Sequence, residues 1–332
     1  MYIVTGGAGF IGSNLVHELN LQGITDILVV DNLADTRKLF NLHGARFVDY
    51  MDKREFRRAL GEKQLWIPRV EAIFHQGACS NTLIDDGVYM MDNNFTCSKE
   101  ILDYAIEQGA PLVYASTAAV YGLSGKGRFT PTLENEKPLN IYGFSKLAFD
   151  NYVRNRIARD PLPITVVGLR YFNAYGPRES HKGRMSSVIH QFSKQILESR
   201  SVRLFEGSGG FGNGEQRRDF VFVRDLVRLN LFFAQVGPYA PAKGMPGRTY
   251  QAVVNAGSGR ARTFNQVAKA LMQVHGEAKI EYIPFPADLE ARYQHFTEAD
   301  LTELRNMKCD IPMTQLEDGV RETFASAETV SA

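Results

Sequence analysis

The chain has 332 residues, 44% of them hydrophobic and 23% charged, with a formal net charge of +1. That length supports one large or two ordinary globular domains, and the near-neutral balance carries no electrostatic footprint for nucleic acid or a membrane surface. The three cysteines, Cys79, Cys97 and Cys309, lack any metal-ligand spacing, so the expectation is free thiols in a reducing cytoplasm and no metal site.

In chain order, the apolar run Tyr2-Ile3-Val4 leads into Thr5-Gly6-Gly7-Ala8-Gly9-Phe10-Ile11-Gly12. A chain that begins in a strand leaves no room for a signal peptide, and no run of about 18 apolar residues follows that could span a membrane. Further strands are expected at Ile27–Val30, Ala72–His75, Leu112–Ser116 and Thr165–Arg170, with helices at Phe10–Gln22, Asn93–Gln108 and Ile141–Ala158. Continuous apolar strands alternating with helices predict a parallel sheet covered on both faces. The fold class is therefore α/β, a Rossmann-type doubly wound parallel sheet with a smaller, interleaved α/β substrate domain.

The domain boundary is placed at residue 172. Residues 1–172 form the dinucleotide-binding domain, segments at about 202–256 return to it, and 173–332 mainly bind substrate. Val202–Phe205 and Gln251–Asn255 are the expected returning strands. The stretch Gly207-Ser208-Gly209-Gly210-Phe211-Gly212-Asn213-Gly214 reads as a mobile loop.

Gly6, Gly9 and Gly12 make a GxxGxxG pattern between a strand and a helix. Glycine permits the tight turn and lets backbone N–H groups approach a pyrophosphate at the helix N-terminus. Asp31 ends the second strand about 20 residues on, where a carboxylate grips an adenosine ribose. Arg37 and Lys38 follow at once, and a cation there suits a 2′-phosphate instead. The residues alone leave NAD and NADP even.

Tyr142 and Lys146 are four apart on a predicted helix and share a face. The expectation is that the ammonium draws the phenol down from its ordinary value near 10 toward neutrality, for proton transfer to a sugar hydroxyl. Ser116-Thr117 ends the fourth strand and offers a hydroxyl to the reacting oxygen; the alternative is a strand-end hydroxyl bonded to backbone.

These motifs together resemble the extended short-chain dehydrogenase/reductases that act on nucleotide sugars. Thr117, Tyr142 and Lys146 match that family's catalytic Ser/Thr, Tyr and Lys. Its dehydratases typically carry Asp-Glu after the Thr, where this chain has Ala118-Ala119, so dehydration is disfavoured. Arg170-Tyr171-Phe172-Asn173-Ala174-Tyr175-Gly176-Pro177-Arg178 is general to the family. The continuation His181-Lys182-Gly183-Arg184-Met185 resembles its ADP-glycero-manno-heptose 6-epimerases, as do Phe205-Glu206-Gly207-Ser208, Ile283-Pro284-Phe285-Pro286 and Arg292-Tyr293-Gln294.

The resemblance implies a tightly held NADP, with NAD as the alternative, and a nucleotide-sugar substrate oxidised and re-reduced at C6″ on opposite faces. It implies Tyr142 and Lys182 as the two proton-transfer groups, with Lys182 as a phosphate binder the other reading. It places the cofactor against Gly6, Gly9, Phe10, Ile11, Gly12, Asp31, Asn32, Lys38, Lys53, Gln76, Gly77, Ala78, Cys79, Ser80, Asn93 and Lys146. It places substrate against Asn173, His181, Arg184, Phe205, Glu206, Gly207, Ser208, Arg218 and Tyr293. It also implies a homo-oligomer. Two departures stand out: Arg184 replaces a usually small residue, and Gly209–Gln216 lengthens a family linker. A UDP-hexose 4-epimerase and a non-catalytic, nicotinamide-sensing Rossmann protein are the competing functions.

Overall fold

The computed structural model describes residues 1–123, 129–286 and 293–325. Its largest feature is a seven-stranded sheet built from β1 (Tyr2–Thr5), β2 (Ile27–Asp31), β3 (Asp49–Asp52), β4 (Ala72–His75), β5 (Leu112–Thr117), β6 (Val166–Tyr171) and β10 (Gln251–Ala256). The order across the sheet is β10-β6-β5-β4-β1-β2-β3. The pairings of β1 with β2 and β4, of β2 with β3 and of β4 with β5 are parallel. The order therefore reverses beside β1, and ligands of such sheets bind outside the carboxyl ends of the strands at that reversal. Thr5 and His75 end the two strands that flank it, and they are register partners.

Register also explains the core. Ile3 pairs with Leu28 and Ile73, and Ile73 with Leu112, so four apolar side chains form one row. Helices α2 (Lys53–Gly61), α4 (Cys97–Gln108) and α5 (Ile141–Arg159) contribute Phe56, Ile101, Leu102, Phe149 and Val153 to the same cluster. Each such side chain contributes roughly 1.5–3 kcal/mol on burial. Strand β3 escaped sequence reading because Asp-Tyr-Met-Asp carries no apolar run.

The helix expected at Asn93–Gln108 is interrupted at its start. A short helix α3 (Gly87–Met91) passes through a single π turn, Asp92–Thr96, into α4. A π turn removes the i to i−4 pattern locally and frees side chains and carbonyls for other partners.

The chain divides into two compact units. The first is Met1–Val120, Asn140–Arg170 and Val227–Val254; the second is Tyr121–Leu139, Tyr171–Leu226 and Asn255–Ala332. Of the two strands expected to return to the large sheet, β10 does so. The other, β8 (Ser201–Phe205), pairs instead with β12 (Lys279–Ile283) in a two-stranded parallel sheet of the second unit. Its alternating burial is the reason: a central strand of the large sheet such as β4 is buried throughout, whereas β8 exposes Arg203 between buried Val202 and Leu204. The second unit also holds β7 (Asn173–Tyr175), β9 (Arg217–Phe222) and β11 (Ala261–Thr263) in one sheet, with β9 central. Helices α6 (Val188–Ser199), α7 (Phe264–His275) and α8 (Leu316–Ala325) pack together.

The stretch Gly207–Gly214, expected to be mobile, is tied down. The Asn213 side chain accepts from Gly207 N at 2.8 Å, Gly214 N donates to Phe205 O at 2.9 Å, and Gln216 Nε2 donates to Glu206 O at 2.8 Å. Among the described residues, no helix is long and apolar enough to cross a membrane.

Helix α1 (Phe10–Leu21) starts hard against the glycine turn, and a Cβ on Gly12 would overlap the carbonyl oxygen of Gly6. Gly12→Ala should therefore lower the urea midpoint by the equivalent of about 1–3 kcal/mol. It should also abolish nicotinamide-cofactor binding measured by fluorescence. Ordinary stability together with ordinary binding would contradict the close approach.

Candidate active site

The glycine turn is a backbone device. Gly6 has φ +66°, and a Cβ there would lie 2.7 Å from Gly77 N, so a side chain is both strained and excluded. Gly9 N donates to Gly6 O at 2.9 Å, and Gly9 caps α1 with no side-chain hydrogen bond. No acidic residue stands in the first turn. The leading N–H groups of a helix have no carbonyl within it to bond, so the turn suits a diphosphate. Phe10 is buried, and Gly12 supplies the close contact. The residues present therefore fit a dinucleotide.

Asp31, buried at the end of β2, accepts from Ala8 N at 2.9 Å and Asn32 N at 2.6 Å. Lys38 Nζ lies 2.8 Å from the Asp31 carboxylate and 3.1 Å from Asn32 O. Arg37, the other cation considered from sequence, pairs with Asp35 instead at 2.7 Å. Lys53 Nζ donates to Asn93 Oδ1 at 2.8 Å, and Gln76 Nε2 to Asn230 Oδ1 at 2.9 Å.

Sequence reasoning missed the residue that organises the loop after β4. Asn94, fully buried in the π turn, accepts from Cys79 N at 2.8 Å and donates to Cys79 O at 3.0 Å and Ser145 Oγ at 3.1 Å. One carboxamide thus links the Gln76–Ser80 loop to α5, where Ser145 Oγ donates to Tyr142 O at 2.7 Å. Its neighbour Asn93, which the sequence picked out, is joined to it at 3.0 Å.

A second buried chain ends the strands at the sheet reversal. Ser98 Oγ donates to Asn94 O at 2.5 Å, so His75 Nε2 donates to Ser98 Oγ at 2.9 Å. His75 Nδ1 then accepts the Thr5 hydroxyl at 2.7 Å, and Thr5 Oγ1 accepts from Gly77 N at 3.1 Å. Burial, reinforced by the nearby Lys146 charge, pushes the His75 imidazole down to about 3.

Thr117 ends β5, and its hydroxyl is hydrogen-bonded to Tyr142. Ser116 is not turned to the reaction: it donates to Asp150 at 2.8 Å. The expected pull of Lys146 on Tyr142 is not what the structure holds. Burial raises Tyr142 above its ordinary value, and the Thr117 hydrogen bond opposes that only in part. Lys146 is itself buried, with Nζ donating to Ala115 O at 2.8 Å. Burial draws it down to about 8, against the raising influence of Asp150. The carbonyl takes the ammonium that the sequence pattern assigned to the phenol.

In the second unit, His181, Lys182 and Arg184 lie on a 3-10 stretch, Ser180–Met185, with His181 buried and Arg184 exposed. Burial lowers the Lys182 ammonium, and Glu179 partly restores it. Asn173 opens β7 and is exposed. Arg218 on β9 is buried, with its guanidinium 4.7 Å from the Tyr293 ring centroid. Phe205 and Tyr293 rings lie 6.3 Å apart, and both contact Phe285 at 5.1 and 5.0 Å. His295 stacks on Phe285 at 5.9 Å. Phe285 and His295 were not among the expected site residues. Arg292 of the Arg-Tyr-Gln motif lies outside the described residues. Among those described, no cluster of His, Cys, Asp or Glu could hold a metal.

The model of the "NAD dependent epimerase/dehydratase family" matches residues 2–250. The chain belongs to this family. It is 52% identical over 321 residues to an ADP-L-glycero-D-manno-heptose-6-epimerase of Alkalilimnicola ehrlichii, covering 97% of this chain and 95% of that protein. Among solved structures it resembles the Helicobacter pylori ADP-L-glycero-D-manno-heptose-6-epimerase, with a TM-score of 0.81, 27% identity and coverage of 99% and 96%. It also resembles the Thermotoga maritima UDP-glucose 4-epimerase bound to UDP-glucose, with a TM-score of 0.75, 28% identity and coverage of 100% and 99%.

The buried, neutral His75 sets a pH dependence. The unfolded chain takes up a proton near 6.5 and the native state only near 3. Stability is therefore full above about pH 6.5 and falls as pH drops through that window, by about 1.4 kcal/mol per pH unit from this group. His75→Gln keeps a donor and an acceptor without the titration. Its urea midpoint should fall less steeply than wild type between pH 6.5 and 4; parallel curves would refute the assignment.

Proposed function

We propose that this chain is an ADP-heptose 6-epimerase, interconverting ADP-D-glycero-D-manno-heptose and ADP-L-glycero-D-manno-heptose for the lipopolysaccharide core. The reading rests chiefly on the near end-to-end similarity to the Alkalilimnicola ehrlichii protein whose name states that activity. The cofactor is a nicotinamide dinucleotide, and we assign it as NADP. When bound, it supplies reversible hydride transfer at C6″.

The chain's own residues do the rest. The Gly6–Gly12 turn holds the diphosphate, and Lys38 beside Asp31 takes the 2′-phosphate, with Asn32, Lys53, Gln76–Ser80 and Asn93 completing the cofactor site. Tyr142, hydrogen-bonded to Thr117, takes the hydroxyl proton at C6″ in its phenolate form as the alcohol becomes a ketone, and returns it from the phenol on re-reduction. Because the oxygen is presented in a different orientation in each epimer, a second proton-transfer group is required within hydrogen-bond reach. Lys182 fills that role, and its burial-lowered ammonium suits it. Arg218 and the rings of Phe205 and Tyr293 take the ADP moiety, since an Arg fork matches phosphate and aromatic faces stack a base. Asn173, His181, Arg184, Glu206, Gly207 and Ser208 complete the substrate contacts. The cytoplasm and a homo-oligomer remain part of the reading.

Incubating the purified protein with ADP-D-glycero-D-manno-heptose, without added cofactor, should yield both epimers by proton NMR. No conversion, even with NADP+ added, would sink the reading and redirect it to other nucleotide sugars. Tyr142→Phe should lose about 10²–10⁴-fold in kcat while retaining cofactor. Lys182→Ala should fall mainly in kcat; a raised KM with normal kcat would instead mark a phosphate binder.

The NADP assignment has its own test. Lys38→Ala should weaken NADP+ by about tenfold or more in calorimetry, with little change for NAD+, because a charge-assisted contact is lost. Equal weakening of both would overturn it.

A further inference from the structure

Asp150 stands one helical turn beyond Lys146 and two beyond Tyr142, so the three side chains leave α5 on one face. It is 0% exposed, and so is Arg170 on β6. Its carboxylate accepts from Tyr114 OH at 3.0 Å, Ser116 Oγ at 2.8 Å and Arg170 Nε at 2.9 Å. Tyr114 and Ser116 flank Ala115 on β5, and the Ala115 carbonyl is the acceptor of Lys146 Nζ. One carboxylate therefore holds both neighbours of the group that holds Lys146.

A buried ion pair is weak evidence for stability, because desolvation offsets its attraction and an apolar pair of equal volume often serves as well. An apolar pair could not place an anion one turn from Lys146. Lys146 and Arg170 are two buried cations in one neighbourhood, and Asp150 is the carboxylate set between them.

We propose that Asp150 is a positioning residue for the epimerisation, clamping the end of β5 to α5 and supplying the counter-charge to Lys146. This inference rests on the epimerase reading above. The groups facing Lys146 are Tyr142 and Asp150 on its own helix, His75 from β4, Cys97 from α4, and Ala115 and Thr117 from β5; Arg170 lies beyond Asp150. His75 is neutral above about pH 3, and burial holds the Cys97 thiol up at about 11. Neither compensates the ammonium near pH 8. Asp150 is the larger influence raising Lys146 against its burial, ahead of Cys97.

Asp150→Asn keeps one acceptor oxygen for Ser116 and Arg170, turns an amide N–H toward the Tyr114 hydroxyl, and removes the charge. The alkaline limb of its kcat/KM profile should move acidward by about one pH unit or more, with the KM for nucleotide sugar little changed. In the free enzyme, the Lys146 13Cε resonance, identified by its loss in Lys146→Met, should titrate correspondingly lower. Asp150→Asn/Arg170→Met removes both charges and should bring both midpoints back toward wild type, as should Asp150→Glu. A lowered melting temperature with unmoved midpoints would mean a structural role only and overturn the proposal. So would a double variant that stays as shifted as Asp150→Asn. If Asp150→Asn fails to fold, Arg170→Met decides: freeing the Asp150 charge from its partner should raise the Lys146 midpoint, and an unmoved midpoint overturns the proposal. A wild type that turns over no nucleotide heptose sinks the epimerase reading, while the Lys146 titration still tests the electrostatics.

Discussion

The ligand end of the first unit depends on backbone lying against backbone. Gly6, Gly12 and Gly77 approach so closely that a Cβ on Gly6 or Gly12 would collide with peptide atoms of the others. The approach brings the start of α1, the end of β1 and the loop after β4 to a common point. The Thr5, His75 and Ser98 side chains then lock it from below, through a chain in which each donor has one acceptor. A larger residue at any of these glycines would move the helix start away from the place where N–H groups and dipole act together on a phosphate.

Burial, more than pairing, governs the proton affinities in both units. It raises Tyr142, lowers Lys146 and Lys182, and keeps His75 neutral. Each group is pushed toward its uncharged form, as a low-dielectric site demands. Pairing then trims the effect: Thr117 for Tyr142, Asp150 for Lys146, Glu179 for Lys182. The i to i+4 spacing of Tyr142 and Lys146 remains meaningful, but Lys146 is anchored to a β5 carbonyl rather than to the phenol.

In the second unit the same logic is aromatic. Arg218 is desolvated; its guanidinium lies against the Tyr293 ring, is hydrogen-bonded to the Tyr293 side chain and donates to Arg217 O at 3.0 Å. Phe205, Phe285, Tyr293 and His295 form one contiguous set of rings beside it. The Gly207–Gly214 segment is held against the end of β8 by its own backbone and by Asn213 and Gln216. Its glycines are there for conformation: Gly209, Gly210 and Gly214 all have positive φ.

The sequence by itself determined the strand, turn and helix of the dinucleotide cradle, because a glycine pattern and a 2-versus-3.6 periodicity are local properties. It determined the parallel α/β class, and it placed Tyr142 and Lys146 on one face of a helix. Tertiary structure alone decided which partner each polar side chain takes. Asn94 and Asp150 read as ordinary helix polar residues until a π turn and a neighbouring strand surround them with donors. Ser116 and Thr117 are adjacent and alike in sequence, yet one serves Asp150 and the other Tyr142. The same holds for β8, whose apolar residues suit either sheet until its exposed Arg203 is weighed. Hydrogen-bond partners and desolvation arise between segments far apart in the chain, 51 residues for Asn94 and Ser145 and 154 for Gln76 and Asn230, and no local pattern encodes them.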